Sequence, residues 1–238
     1  MQDIVVIPTY NERNNIRVIV DEILDAYDNL QVMVVDDSSP DGTADVVRQL
    51  ESKYPGQVEL LLRKEKNGLG EAYKDALLRI QKRPEIRYVF TMDADGSHSP
   101  KYLATMRESL RDHDLVVGSR YITDGGVAEW ETWRKALSYY GNKYSSIVTG
   151  VPIADLTAGF IGMRKSMLDN VDFGEFTSSG YAYQIEFKSH CFINKGARVT
   201  EIPITFLSRR EGESKLSHQI IHEGVLTPVK ILWKKIRA

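Results

Sequence analysis

Only one cysteine, Cys191, occurs in the 238 residues. It excludes an internal disulfide and offers no thiolate cluster for zinc. Long apolar runs are missing too: no stretch approaches the ~18–20 consecutive apolar residues that cross a bilayer. A surplus of charge is also lacking. The 31 Lys and Arg face 33 Asp and Glu, for a formal net charge of −2, without the basic excess of a typical nucleic-acid binder. The opening Met1-Gln2-Asp3 has no basic region, and the apolar run behind it is too short for a secretory leader. The expectation is a cytoplasmic protein that binds no nucleic acid and touches a membrane, if at all, without crossing it. What is present is ordinary for a globular chain: 42% hydrophobic and 27% charged residues, with a length that suits one α/β domain.

Two patterns alternate over the first 120 residues. Short β-branched runs fall at 4–7, 31–35, 58–62, 88–92 and 115–117, and segments of helical spacing fill 14–27, 41–54, 71–80 and 100–110. Continuous apolar strands alternating with amphipathic helices predict a mainly parallel sheet covered on both faces. Functional groups then belong at the carboxyl ends of the strands. Asn11 and Asp41 are expected helix caps, and Ser99-Pro100 reads as a cap followed by a first-turn proline. Beyond residue 120 the alternation breaks. Helices are expected at 130–148, 181–193 and 217–237, and strands at 158–163 and 197–206. The last helix carries a stripe of Ile221, Val225, Val229, Leu232 and Ile236, with Lys230, Lys234, Lys235 and Arg237 alongside and Pro228 inside it. The stripe fits either an anionic membrane surface or the domain's own core.

Asp93-Ala94-Asp95 is the sharpest local feature. Two carboxylates two apart at a strand end point the same way and repel unless a cation joins them. Mg²⁺ is held by one or two carboxylates together with substrate phosphates; the plain alternative is a solvated acidic turn. Asp36-Asp37 ends the second strand, where an Asp can accept hydrogen bonds from a ribose or base; the plain alternative is that Asp36 or Asp37 only closes the Ser-Pro-Asp-Gly turn. Tyr10 can lie against a nucleobase and Glu12 can accept from its N–H groups, although a first-turn acid also suits the helix dipole. Two motifs mislead. Gly68-Leu69-Gly70 lacks a third glycine and follows the third strand, which disfavours a dinucleotide fold, and His218/His222 has zinc-protease spacing with Gln219 in place of the required Glu. Arg120, Arg134, Arg209, Arg210 and Lys215 supply cations suited to a diphosphate leaving group and a phosphorylated acceptor.

In order, the blocks Val6–Glu12, 35–43, 93–95 and 118–121 resemble glycosyltransferase family 2, a GT-A fold, that is, a Rossmann-like α/β/α sandwich. Blocks 155–160, 180–186 and 209–215 are similar to those of its polyprenyl-phosphate (dolichyl-phosphate) mannose synthases. The resemblance implies a catalytic domain over 1–216 and a C-terminal amphipathic helix over 217–238. It implies that Pro8, Tyr10, Glu12, Val35 and Asp37 hold the nucleoside of GDP-mannose. Asp93, Ala94 and Asp95 would flank Mg²⁺ or Mn²⁺ and the diphosphate, Arg120 would sit near the diphosphate or sugar, and Arg209 and Lys215 would close over the donor. Arg134 and Ser138 match the place that binds the lipid phosphate. Gly96 departs from the family's usual apolar residue after the acidic motif. The implied activity is inverting transfer of mannose to dolichyl or another polyprenyl phosphate by a peripheral protein on the cytosolic membrane face, with small membrane-anchoring subunits as implied partners. The rivals are transfer of glucose or N-acetylglucosamine, from a UDP donor among others, to a lipid phosphate or sugar hydroxyl, and a nucleotide-sugar-binding subunit without turnover.

Overall fold

The structure, a computed structural model, describes residues 1–178, 180–207 and 218–237. Strands β1 (Gln2–Thr9), β2 (Leu30–Asp36), β3 (Val58–Leu62), β4 (Ile86–Thr91) and β5 (Leu115–Ser119) alternate with helices α1 (Arg13–Ala26), α2 (Thr43–Lys53), α3 (Leu69–Gln81) and α4 (Tyr102–Ser109). There follow β6 (Gly126–Val127), α5 (Thr132–Thr149), β7 (Ile161–Arg164), α6 (Gly180–Ile193), β8 (Val199–Pro203), β9 (Thr205–Phe206) and α7 (His218–Arg237).

Alternate residues of the central strands face two separate cores. Ile4, Val6, Met33 and Val35 pack with Tyr73 and Leu77 of α3 and Tyr183 and Phe187 of α6. Val5, Ile7, Val32 and Val34 pack with Ile16 and Ile19 of α1 and Val47 and Leu50 of α2. Both strand faces are dry, and each such side chain contributes about 1.5–3 kcal/mol. This is the expected α/β/α sandwich.

The seven-stranded sheet runs β3-β2-β1-β4-β7-β5-β8, with β7 antiparallel between β4 and β5 and the other pairs parallel. Strands β2, β1 and β4 are therefore parallel neighbours, and their carboxyl ends share one edge. A two-stranded parallel sheet of β6 and β9 sits beyond it.

Several boundaries differ from the sequence reading. Helix α1 has Glu12, not Asn11, at its N-cap, while Asn11 adopts a φ of 61°. The N-cap of α2 is likewise one residue on, at Gly42, while the Asp41 carboxylate accepts from the Thr43 backbone N–H (3.0 Å) and from that of Arg13 (3.1 Å), beside the starts of both α2 and α1. Helix α4 starts at Tyr102, because Ser99 and Pro100 are used in the preceding turn. The strand expected from residue 158 begins at Ile161, since the Ala158 and Gly159 carbonyls are taken by Lys188 Nζ (2.6 Å) and Thr91 Oγ1 (2.5 Å). The strand expected over 197–206 is broken at Ile204 into β8 and β9.

Helix α5 is inverted with respect to an ordinary surface helix. Its buried residues are Asn142, Ser145 and Thr149. Its large apolar residues Trp133, Leu137, Tyr140 and Ile147 are exposed. Helix α7 packs against α5 and α6, burying Thr227 and Pro228, and leaves Val225, Leu226, Val229, Trp233 and Ile236 exposed. Of its apolar stripe, Val225, Val229 and Ile236 face away from the core and Leu232 is half-buried.

Asp36 ties the shared strand edge together. Fully buried, it accepts from Thr9 Oγ1 (2.9 Å), Ser39 Oγ (2.6 Å) and the Ser39 backbone N–H (2.9 Å). Removing a buried carboxylate with three donors leaves those donors unpaired. Asp36→Ala is expected to lower stability by about 2–4 kcal/mol in urea unfolding; a loss below about 1 kcal/mol contradicts this role.

Candidate active site

Three groups of side chains meet along the carboxyl edge. The first lies where β1 and β2 end. Tyr10 is half-buried, and the Lys66 ammonium stands 3.6 Å from its ring centroid. Glu12 Oε2 accepts from Asn15 Nδ2 at 2.8 Å. Pro8 is half-buried, whereas the Val35 side chain is enclosed in the core, so Val35 reaches the edge through its backbone. Asp36, the last residue of β2, and Asp37, just beyond it, take different partners. Asp37 accepts from Arg63 Nη1 at 2.5 Å, and Arg63 Nε also donates to Asp75 at 2.7 Å. Burial raises the Asp37 pKa, with Arg63 opposing the rise.

The second group is the acidic turn. Asp93 and Asp95 lie beyond Thr91, the last residue of β4, so strand alternation does not set their directions. Asp95 is 5% exposed, and its Oδ1 accepts from the Ser97 backbone N–H (3.0 Å) and hydroxyl (2.6 Å). The Asp93 backbone N–H donates to His98 Nδ1 at 3.0 Å. Because Nδ1 accepts, the imidazole is neutral with its proton on Nε2. Burial lowers the His98 pKa, although Asp93 and Asp95 pull it upward. Its ring stacks on Phe160 (4.9 Å) and meets the edge of Phe206 (5.3 Å). A methyl group placed on Gly159 would lie 3.6 Å from Asp93 Oδ1, 3.8 Å from His98 Cε1 and 4.0 Å from Gln184 Nε2, so these groups converge on the bare glycine. Among the described residues no cluster of three His, Cys, Asp or Glu side chains gathers to enclose a metal. Two carboxylates fit a hard divalent cation whose remaining ligands come from a diphosphate.

The third group is cationic. Arg120 grips Asp155 through Nε and Nη2 (2.7 Å each), and Nη2 also donates to Thr157 Oγ1 at 2.9 Å. Burial drives the Asp155 pKa up, but Arg120 outweighs it and holds the carboxyl below its ordinary value. The same guanidinium lies 5.5 Å from the Phe206 ring and 5.7 Å from Trp130. Arg134 of α5 stacks on Trp130 at 4.0 Å.

A single cleft of about 220 Å³ joins Asp93, His98 and Arg120 to Arg134 and Ser138 and ends against Val225 of α7. The structure thus brings together the acidic turn, Arg120, Arg134 and Ser138, and places Pro8, Tyr10, Glu12, Val35 and Asp37 at or just beyond the ends of the neighbouring strands β1 and β2. Ala94 is buried under the turn. Arg209 and Lys215 lie outside the described residues. Sequence reasoning gave no role to His98, Asp155, Thr157, Gln184 or Lys188. The signals were the family-like blocks 155–160 and 180–186, which hold Asp155, Thr157 and Gln184, but nothing local links Asp155 to Arg120, 35 positions away.

Lys188 is fully buried and donates to the Ala158 carbonyl. Burial lowers its pKa to about 7, with Asp155 opposing. Between that value and the unfolded value of 10.5 the unfolded chain binds the extra proton, so stability contributed at this position rises with pH over that window. Relative to Lys188→Met, the wild type is expected to gain stability from pH 7 to 9, by at most about 1.4 kcal/mol per pH unit. Parallel melting curves for the two proteins would contradict it.

Residues 4–172 match the sequence profile of glycosyl transferase family 2. A polyprenol monophosphomannose synthase of Mycolicibacterium smegmatis is 40% identical over 93% of this chain and 83% of its own length. An undecaprenyl-phosphate mannosyltransferase of Micrococcus luteus is 37% identical over 100% of this chain and 98% of its own. Among solved structures, glucosyl-3-phosphoglycerate synthase from Mycobacterium tuberculosis, in complex with Mn²⁺, UDP and glucosyl-3-phosphoglycerate, has a TM-score of 0.71 at 15% identity, covering 98% of this chain and 80% of that one. A mannosyltransferase from Pyrobaculum calidifontis in complex with GDP-Man and Mn²⁺ has a TM-score of 0.57 at 18% identity, covering 98% and 73%. At these identities the structural likeness concerns the fold.

Proposed function

The chain belongs to glycosyl transferase family 2, and from that premise we propose that it transfers mannose from GDP-mannose to a polyprenyl phosphate such as dolichyl phosphate, with inversion. One observation carries the reading: a single cleft runs from the acidic turn past Arg120 to Arg134 and Ser138 and opens beside the exposed apolar faces of α5 and α7. A phosphate on a hydrocarbon tail suits that sequence of environments. The names of the two curated relatives support the acceptor class, and the structural neighbour with GDP-Man and Mn²⁺ supports the donor.

Tyr10, Glu12 and Asp37, with Pro8 and the Val35 backbone, hold the nucleoside. Asp93 and Asp95 hold Mg²⁺ or Mn²⁺, which when bound neutralises the leaving diphosphate. Arg134 and Ser138 orient the acceptor phosphate, and Arg120, fixed by Asp155, adds positive potential between the two phosphate-bearing substrates. A phosphate monoester has a second pKa near ~6 and is already largely anionic at neutral pH. Its oxygen attacks the anomeric carbon in line, the bond from that carbon to the diphosphate oxygen breaks, and GDP leaves. Positioning and charge stabilisation carry the step, without a strong protein base.

No described helix is long and apolar enough to cross a membrane. The exposed Val225, Val229, Trp233 and Ile236, with Lys230, Lys234, Lys235 and Arg237 on the same helix, suit an anionic bilayer on the cytosolic side. Small membrane subunits would add to this anchoring.

The test is purified protein with radiolabelled GDP-mannose, a short polyprenyl phosphate in detergent and Mg²⁺ or Mn²⁺. Label should enter a lipid-soluble, mild-acid-labile product and stop with EDTA; transfer from UDP-glucose alone would overturn the donor assignment. Asp93→Ala and Asp95→Asn, the latter keeping an oxygen for the Ser97 N–H and hydroxyl, are each expected to cut turnover about a hundredfold or more while melting close to the wild type. For membrane docking, the triple change Val229→Ser, Trp233→Ser, Ile236→Ser should abolish flotation with anionic vesicles. Undiminished flotation removes α7 from the membrane contact.

A further inference from the structure

We propose that Asn142 is a positioning residue that sets the distance between the acceptor-phosphate groups and Arg120; this rests on the reading of the cleft given above. Asn142 is 1% exposed on the inner face of α5. Its Oδ1 accepts from the Thr157 backbone N–H at 2.9 Å. Its Nδ2 donates to Thr157 Oγ1 at 3.0 Å and to the Ser138 carbonyl at 2.9 Å. That pattern admits one orientation of the amide, because only the oxygen can face a backbone N–H. Thr157 Oγ1 in turn accepts from Arg120 Nη2 at 2.9 Å. A chain of three side chains therefore runs from α5 to the guanidinium that lines the cleft.

The spacing on α5 gives the clamp its leverage. Ser138 stands one turn before Asn142 and Arg134 one turn before Ser138, so all three share a face. The inner face of α5 holds polar rather than apolar groups, with Ser145 and Thr149 bonding back to carbonyls of their own helix. Hydrogen bonds to Thr157 thus take the place that apolar packing holds in other helices. Loss of the clamp lets α5 turn about its axis and swings Arg134 and Ser138 away from Arg120. The nucleoside residues, on the far strands, are not moved.

The experiment is Asn142→Ala with two companions, Thr157→Val and Thr157→Ser, in steady-state transfer and in metal-dependent GDP binding by calorimetry. Asn142→Ala should raise the KM for the lipid phosphate about tenfold or more while GDP affinity stays within about twofold. Thr157→Val should do the same, Thr157→Ser should restore near-wild-type values, and the double variant Asn142→Ala, Thr157→Val should cost less than the sum of the singles. An unchanged acceptor KM in Asn142→Ala, or a parallel fall in GDP affinity, overturns the proposal. Should Asn142→Ala not fold, a normal acceptor KM in Thr157→Val overturns it equally. A wild type that transfers nothing to polyprenyl phosphate refutes the substrate reading instead. The clamp is then judged by amide hydrogen exchange: Asn142→Ala should speed exchange at Arg120, and unchanged exchange there overturns it.

Discussion

A guanidinium and a carboxylate, both withdrawn from water, meet where β5 hands the chain to the cleft. The pairing of Arg120 with Asp155 is two-pronged, with side-chain exposures of 9% and 0%. Such a pair gains from mutual attraction only when its remaining donors and acceptors are also satisfied. Here they are. The Arg120 backbone N–H donates to the same carboxylate, and Thr157 takes the second Nη2 proton. Glu201 on β8 accepts from the Ala154 and Asp155 backbone N–H groups, and Lys188 and Thr91 fix the carbonyls of Ala158 and Gly159. The loop between α5 and β7 is therefore held from four elements, and everything the cleft presents on its acceptor side hangs from it.

The same pair depends on the sheet's not being wholly parallel. Strand β7 enters antiparallel between β4 and β5, which delivers the segment before it, with Asp155 and Thr157, to the carboxyl edge of its neighbours. A parallel β7 would have presented its own far end there. The acidic turn after β4 and Arg120 after β5 are thus bridged by a loop arriving from the opposite direction.

How much of this was legible depended on whether the signal was local. The first five strands and their helices were, because buried strands and amphipathic helices write their periods directly into the chain. The candidate metal carboxylates were visible as a motif, although their directions come from the Ser97 and His98 contacts and not from strand alternation. Asn142, Lys188 and His98 were not legible as site residues. Each is a polar residue that a periodic pattern assigns to water, and each is buried by partners distant in sequence, such as Thr157 for Asn142 and Ala158 for Lys188. Helix α5 was legible as a helix but not in its orientation, since its hydrophobic residues face outward and its polar ones inward.

That inversion has a mechanical consequence. A hydrogen-bonded face adds directional limits to those of packing: a slip of one residue would turn α5 by about 100° and take Asn142 away from the Thr157 N–H. The helix is therefore indexed, with one allowed angle about its own axis. Its oily outer side and its cationic inner side are set at a fixed angle to each other. Whatever the outer side rests on, Arg134 and Ser138 keep a constant height and tilt relative to it.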